Sequence, residues 1–268
     1  MIREHHVETP ARRIRYLEAG AGWPVVLVHA FPLSADMWRL QLESVPDGFR
    51  FITPDVRGFG GETPGPAAQP TMDDLAADVE ALLNALEIER AVIGGLSMGA
   101  YIVFALFRRA PERFSGMILA DARAQADTPE GRQARRAMSD LVRRGGPAAV
   151  ADRMIPKLLG DTTHRDRPGV TAEVRRLILA NSAAGIDGAL HAMMTRPDST
   201  PDLARISVPT LVIVGEEDVL TPVADSELLH QSIERSQLVV LDTAGHLSCL
   251  ETPDEFSIAL SNFLASNL

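Results

Sequence analysis

Three residues in this chain have the side chains that nucleophilic catalysis needs, and each follows a run of aliphatic residues. Ser97 sits in Gly95-Leu96-Ser97-Met98-Gly99, Asp218 in Gly215-Glu216-Glu217-Asp218 and His246 in Ala244-Gly245-His246. A serine hydroxyl is a poor nucleophile until a base takes its proton. A histidine that titrates near neutrality can take that proton and return it to a leaving group, while a carboxylate fixes its tautomer and stabilises the imidazolium. Nucleophile, acid and base in this chain order make a workable triad. Asp121 also follows an apolar run and is the alternative acid. Negative charge on an attacked carbonyl oxygen needs donors. The backbone N–H of Met98, just after the serine, is one candidate. The N–H of Phe31, in the early loop His29-Ala30-Phe31-Pro32, is the other.

G-x-S-x-G alone arises by chance in about one chain in ten of this length, so the elements that carry it must decide. Ala91-Val92-Ile93 leads into the motif and Tyr101 to Phe107 follows as an apolar helix-like run. Buried strand, tight turn and buried helix are the context in which the serine is pushed out, with glycines where the two backbones converge. Val25–Val28, Phe51–Thr53, Met117–Ala120, Thr210–Val214 and Gln237–Leu241 read as further strands, mostly continuous apolar runs buried on both faces. His5–Val7 and Arg13–Glu18 read as an antiparallel hairpin at a sheet edge. A Pro/Gly-rich loop from Thr63 to Pro70 precedes a helix capped by Thr71, with Asp74 three residues on. Thr221-Pro222 predicts another helix start, and Thr252-Pro253-Asp254-Glu255 a capping box.

Strands alternating with helices predict an α/β fold, a mostly parallel central sheet with helices on both faces. Its sites lie at the carboxyl ends of the strands. The rhythm changes between Ala122 and Ser199. That stretch offers no strand, only helical patterns at 130–144, 147–159, 171–182 and 185–195. The expected organisation is therefore a core domain of residues 1–121 and 200–268, with residues 122–199 inserted as a helical cap over the carboxyl ends.

Composition bounds the function. At 268 residues, 46% hydrophobic and 23% charged, the chain has the makeup of one globular α/β domain. A net charge of −10 argues against a nucleic-acid surface. The cluster Arg132, Arg135, Arg136, Arg143 and Arg144 reads as the solvated face of one helix. Cys249 is the single cysteine, which excludes an intrachain disulfide and a cysteine-rich zinc site, and a buried small apolar group is its expected role. The polar start of the chain lacks a signal-peptide core, and no run approaches the roughly 20 apolar residues of a membrane span. A cytoplasmic protein with neither membrane nor nucleic-acid partner is the default expectation.

The pieces His29-Ala30-Phe31-Pro32, Asp55-Val56-Arg57-Gly58-Phe59-Gly60, Gly95-Leu96-Ser97-Met98-Gly99, Gly215-Glu216-Glu217-Asp218 and Ala244-Gly245-His246 together resemble the α/β-hydrolase superfamily from end to end. Within it the chain is most similar to 3-oxoadipate enol-lactonases and small-ester carboxylesterases. The resemblance implies a serine hydrolase that cleaves a small-molecule ester or lactone through an acyl-enzyme, with no cofactor or metal. It also implies the helical cap after the strand that follows the serine. One departure is Ala30, where the family usually has glycine. The same triad also serves carbon–carbon bond hydrolysis, perhydrolysis and peptidase action, and a hydrolase fold can act as a slow-turnover binding protein. These alternatives stay open.

Other residues carry weaker expectations. Leu33, Trp38, Leu220 and Leu247 flank the site loops as pocket walls, and Met138, Met154, Met193 and Met194 in the inserted segment would line an adaptable acyl pocket. Arg123 either binds a substrate carboxylate or braces the cap with a salt bridge. His29 is expected to organise the donor loop through hydrogen bonds, and Asp55 and Arg57 to serve a structural turn and ion pairing. The remaining histidines show no metal-ligand grouping.

Overall fold

A computed structural model describes residues 1–61 and 69–268. An eight-stranded sheet runs in the order β1-β2-β4-β3-β5-β6-β7-β8. Its strands are β1 (Arg3–Glu8), β2 (Arg13–Gly20), β3 (Trp23–Val28), β4 (Phe49–Pro54), β5 (Ala91–Leu96), β6 (Phe114–Ala120), β7 (Thr210–Gly215) and β8 (Ser236–Leu241). The first pairs, β1 with β2 and β2 with β4, are antiparallel, and every later pairing is parallel. The predicted hairpin is thus the sheet edge. The interior strands β5 and β7 are buried along their whole length, which explains their unbroken apolar sequences, while the edge strands β1 and β8 are half exposed.

The helices are α1 (Arg39–Glu43), α2 (Met72–Ala85), α3 (Met98–Arg109), α4 (Pro129–Leu158), α5 (Asp161–Asp166), α6 (Pro168–Leu179), α7 (Ala183–Thr195), α8 (Val223–Ser232), α9 (Ser248–Glu251) and α10 (Pro253–Asn267). Apolar stripes from α2, α3 and α8 join one core cluster, and those from α1, α9 and α10 join the other, so both faces of the sheet are covered. On α10 the docking residues are Phe256, Leu260 and Phe263, all buried. Each stabilises the helix by about 1.5–3 kcal/mol relative to exposure.

This strand order creates the crevice. From β3 the chain turns to β4 on one side, and from β5 it turns to β6 on the other. Connections that leave two neighbouring strands in opposite directions open a gap at their carboxyl ends. The loops flanking that gap are residues 29–34, which hold Phe31, and the turn at Ser97.

Local signals succeed and fail for visible reasons. Thr71 accepts from Asp74 N–H (3.2 Å) while Asp74 accepts from Thr71 N–H (2.8 Å), the reciprocal cap expected at α2. Residues 63–68 of the predicted Pro/Gly-rich loop lie outside the described residues. Pro222 stands at the N-cap of α8 rather than inside its first turn, and the Thr221 hydroxyl bonds elsewhere. The capping box predicted at Thr252 does not form. Thr252 also ends α9, and its hydroxyl donates back to Ser248 C=O (3.2 Å). The proline at the first position of α10 is as expected.

Between β6 and β7 the chain forms α4 to α7 and no strand. Helix α4 breaks at Gly146 (φ 64°, ψ −167°), where the two sequence patterns 130–144 and 147–159 meet. The short polar helix α5 was not expected, having no apolar stripe to announce it. The segment docks on loops at the strand ends. Asn181 donates to Pro32 C=O and accepts from Gly60 N–H, and Thr162 N–H donates to Glu217. Among the described residues no helix is long and apolar enough to cross a membrane.

Candidate active site

Ser97 links β5 to α3 with φ 56° and ψ −110°, a left-handed conformation costly for any residue with a side chain. Its N–H is fixed by Ala120 C=O at 2.9 Å. The turn is possible because strand and helix touch where glycines stand. A Cβ on Gly95 would lie 2.3 Å from the Gly99 carbonyl carbon, and one on Gly99 would lie 2.2 Å from Val28 C=O. Ser97 stands at the N-cap of α3 yet makes no capping bond. Its Oγ instead lies 2.8 Å from His246 Nε2.

The imidazole is held from the other side. His246 Nδ1 lies 2.8 Å from Asp218 Oδ2. Asp218 Oδ1 accepts from the Leu220 and Thr221 N–H groups (2.8 and 3.0 Å), and Oδ2 accepts from the Thr221 hydroxyl (2.6 Å). With the carboxylate ionised, Nδ1 carries the proton and Nε2 is free to accept from Ser97 Oγ–H. All three groups are buried, and Ser97 is the most accessible at 8%.

Burial pushes the Asp218 carboxyl up, but the His246 charge and hydrogen bond, with the bonds from Thr221, outweigh it and hold the group below its ordinary value. Burial disfavours charge on His246, but the Asp218 charge and hydrogen bond prevail, so the imidazole sits above its ordinary 6.5. Cys249 is fully buried, and burial drives its thiol well above the usual range, which leaves an inert apolar group as expected.

The early loop is built on His29. Its Nε2 accepts from Val56 N–H at 3.0 Å and Nδ1 donates to Ala30 C=O at 3.0 Å, and burial lowers its pKa. The imidazole therefore ties the loop after β3 to the loop after β4 in neutral form. Ala30 is fully buried and is not among the residues with positive φ, so its backbone does not demand a glycine. Among the described residues no protein acceptor bonds the Phe31 or the Met98 N–H.

The sequence pattern of the alpha/beta hydrolase fold family matches residues 24–253. The chain belongs to that family. Among curated proteins it is 32% identical over 236 residues to 3-oxoadipate enol-lactonase 2 of Acinetobacter baylyi, covering 88% of this chain and 86% of that one. Among solved structures it is similar to a thermophilic esterase from Thermogutta terrifontis, at 40% identity and a TM-score of 0.93 over 98% of both chains. It is likewise similar to the enol-lactonase of Burkholderia xenovorans LB400, at 28% identity and a TM-score of 0.89 over 97% of this chain and all of that one.

The remaining sequence candidates of this hydrolase fall in distinct places. Asp121 makes no hydrogen bond to His246; its Oδ1 accepts from Gly215 N–H and its Oδ2 shares a hydrogen bond with Ser248 Oγ. The Arg123 guanidinium is engaged by Leu220 C=O and by Asp225 (3.1 Å), which joins the chain after β6 to the loop after Asp218 and to α8. Leu33, Trp38 and Leu247 are fully buried, with the Trp38 ring 5.9 Å from Phe256 of α10, and Leu220 is partly buried. Met154 packs against both core clusters, Met138 against one, and Met193 is buried with its sulfur accepting from Arg135. Met194 instead lines a hollow of about 290 Å³ with Gln69, Arg136 and His191. The arginine cluster is not simply solvated: Arg135 pairs with Asp127, and Arg143 with Asp187 at 2.9 Å. Asp55 pairs with Arg15 (2.6 Å) and Arg57 with Asp78 (2.6 Å).

Sequence reasoning missed several polar residues around the site. The Thr221 hydroxyl, read as a helix cap, belongs to the acid. Glu251 is buried and accepts from Leu247 N–H (3.1 Å) and Gly160 N–H (2.8 Å), joining the histidine loop to the turn between α4 and α5. Arg167 donates to Glu251 C=O (2.7 Å) and Thr243 Oγ1 (3.1 Å). Only the position of Glu251 in the first turns after His246 offered any clue in the sequence.

Proposed function

We propose that this hydrolase cleaves small carboxylic esters or lactones by a serine mechanism, with Ser97 as nucleophile, His246 as base and Asp218 as acid. The observation that carries the reading is the pair of 2.8 Å contacts running from Ser97 Oγ through His246 to Asp218. The esterase and enol-lactonase names of the similar proteins support the substrate class. His246 Nε2 takes the Ser97 proton as Oγ attacks the carbonyl carbon. We assign the Phe31 and Met98 N–H groups, which bond no protein acceptor among the described residues, to receive the oxyanion. The imidazolium, stabilised by Asp218, gives its proton to the departing alkoxide and leaves an acyl-serine. Water attacks that ester with His246 again as base, and the acid leaves with Ser97 restored.

We assign residues 122–199 to a cap that sets the shape of the acyl site, which its docking on the loops after β3, β4, β7 and β8 supports. Arg123 is satisfied by Leu220 and Asp225, so we assign it to bracing the start of that cap. The test is turnover of p-nitrophenyl esters of graded acyl length, and of an enol-lactone, by wild type and Ser97→Ala. Fluorophosphonate should label one serine in wild type and none in the variant. A variant as active as wild type overturns the reading. So does a wild type that binds one equivalent of ester without multiple turnover.

A further inference from the structure

Asp121 is a fully buried ionisable group beside the triad that the proposed chemistry leaves unused. It follows Ala120, whose C=O anchors Ser97 N–H at 2.9 Å, and its own N–H donates to Ile213 C=O at 2.8 Å. Its backbone is left-handed (φ 44°), a conformation that persists at a non-glycine position only when the surroundings hold it there. The side chain is fully buried and reaches two loops at once. Oδ1 accepts from Gly215 N–H at 2.9 Å, and Oδ2 lies 2.5 Å from Ser248 Oγ. Gly215 ends β7 three residues before Asp218, and Ser248 opens α9 two residues after His246.

One side chain therefore touches the strand end that carries the acid and the loop that carries the base, from the residue next to the carbonyl that anchors the nucleophile. We propose that Asp121 is a positioning residue. It fixes the placement of Ser97, His246 and Asp218 relative to one another through its two hydrogen bonds rather than through charge. The inference rests on the ester-hydrolase reading of this site.

The surroundings favour the neutral form. An ionised Asp121 accepts from an amide and a hydroxyl, which favour the charge without outweighing its burial. The titratable groups about it are Asp218, His246 and Cys249. Burial first, and then the Asp218 charge, raise its carboxyl well above the usual range. A carboxylic acid at this position keeps an acceptor for Gly215, and its own O–H at Oδ2 donates to Ser248 Oγ, the reverse of the bond that a carboxylate would make.

The test compares Asp121→Ala, Asp121→Asn and Ser248→Ala in p-nitrophenyl acetate turnover, alongside a ¹⁵N-histidine NMR titration of the His246 imidazole. Loss of both bonds in Asp121→Ala should lower kcat by about tenfold or more with KM within about twofold, because misplacing reacting groups costs rate rather than binding. Asparagine keeps an acceptor for Gly215 and a donor for Ser248, so Asp121→Asn should recover most of that kcat. It should also leave the His246 titration where wild type has it. If Asp121→Ala does not fold, Ser248→Ala decides, with kcat expected to fall about threefold at unchanged KM. Wild-type kcat in Asp121→Ala or in Ser248→Ala overturns the proposal. An Asp121→Asn variant as impaired as alanine, with an imidazole titrating lower than wild type, overturns it in favour of a charge effect. Absence of ester turnover in wild type, or full turnover by Ser97→Ala, overturns the ester-hydrolase reading instead. The imidazole titration needs no substrate and then tests Asp121 by itself.

Discussion

Replacing Thr221 by valine removes one hydroxyl from the acid's surroundings and little else. Thr221 is buried, and its Oγ1 donates to Asp218 Oδ2 at 2.6 Å and lies 3.2 Å from His246 Nδ1. Without it, Oδ1 keeps its two backbone donors, and Oδ2 keeps only His246 while facing a methyl group. A hydrogen bond to a charged group contributes about 1.5–3 kcal/mol. The unfolded chain makes no such bond, so the variant should lose about that much stability. For a chain of this size, that lowers Tm by about 3–10 °C. Asp218 has a folded pKa below its ordinary 3.8, so the stability it supplies is present above that value and fades as pH falls through the folded value. The gap between variant and wild type should close in the same acid window.

The kinetic consequence has a definite sign. The Thr221 hydroxyl is one of the groups that hold the Asp218 pKa down. A carboxylate deprived of it is more basic and holds a protonated His246 more firmly, so the acid limb of kcat/KM should move to higher pH. Above that limb kcat should stay within about tenfold of wild type, a change of no more than ~1.4 kcal/mol, because the Nδ1–Oδ2 bond survives. Thermal melts and a p-nitrophenyl acetate pH profile from pH 5 to 9 read both effects. A Tm within about 1 °C of wild type, or an acid limb that stays put or moves down, refutes the account of how the acid is held.

In wild type, kcat/KM should fall as pH drops through a value above 6.5, since His246 must be neutral to act as base and its folded pKa is raised; a flat profile from pH 5 to 8 removes it from that role. Gly99→Ala should give insoluble protein or one that fluorophosphonate does not label, because its Cβ would meet Val28 backbone atoms at 2.2 and 2.8 Å; wild-type labelling would show that the approach is looser than drawn. Ser97→Gly should be more stable than Ser97→Ala by about 1 kcal/mol in urea unfolding, reversing the usual order, because φ 56° strains any residue with a Cβ; the ordinary order would mean that the turn carries no strain.

The strand ends were legible because a parallel strand buried on both faces announces itself by an unbroken apolar run, and whatever polar residue ends the run must stand at one edge of the sheet. Val25–Val28, Ala91–Leu96 and Thr210–Gly215 each have that form, and the chemistry follows them within a few residues. The polar helix α5 had no such signature. Arg196 was also silent in the sequence. Its guanidinium lies 4.1 Å above the Tyr101 ring of α3 and pairs with Asp127 at 2.5 Å, which ties the helix behind Ser97 to the segment beyond β6. A buried arginine is readable only through its partners, and these stand 69 and 95 positions away in the chain.

The same reasoning explains why Thr221 and Thr252 misled. Threonine before or at a helix start is a sound local signal for a cap, and it held at Thr71, whose hydroxyl oxygen accepts from Asp74 N–H while its O–H donates to the Asp74 carboxylate. At Thr221 the hydroxyl donates to Asp218 Oδ2, a carboxylate that stands before the helix, and makes no capping bond to α8. At Thr252 the preceding short helix supplies a carbonyl first. The cap thus forms where the hydroxyl's partner stands inside the first turn of its helix, as Asp74 does, and not where the partner precedes the helix, as Asp218 and Ser248 do. Several long-range bonds gather on the acids at strand ends, Asp218 and Asp121, and on Glu217 and Glu251 close by in sequence. Each recruits donors from loops distant in the chain, so the residues that most resist sequence reading are the ones gathered around the acids that hold the reacting groups.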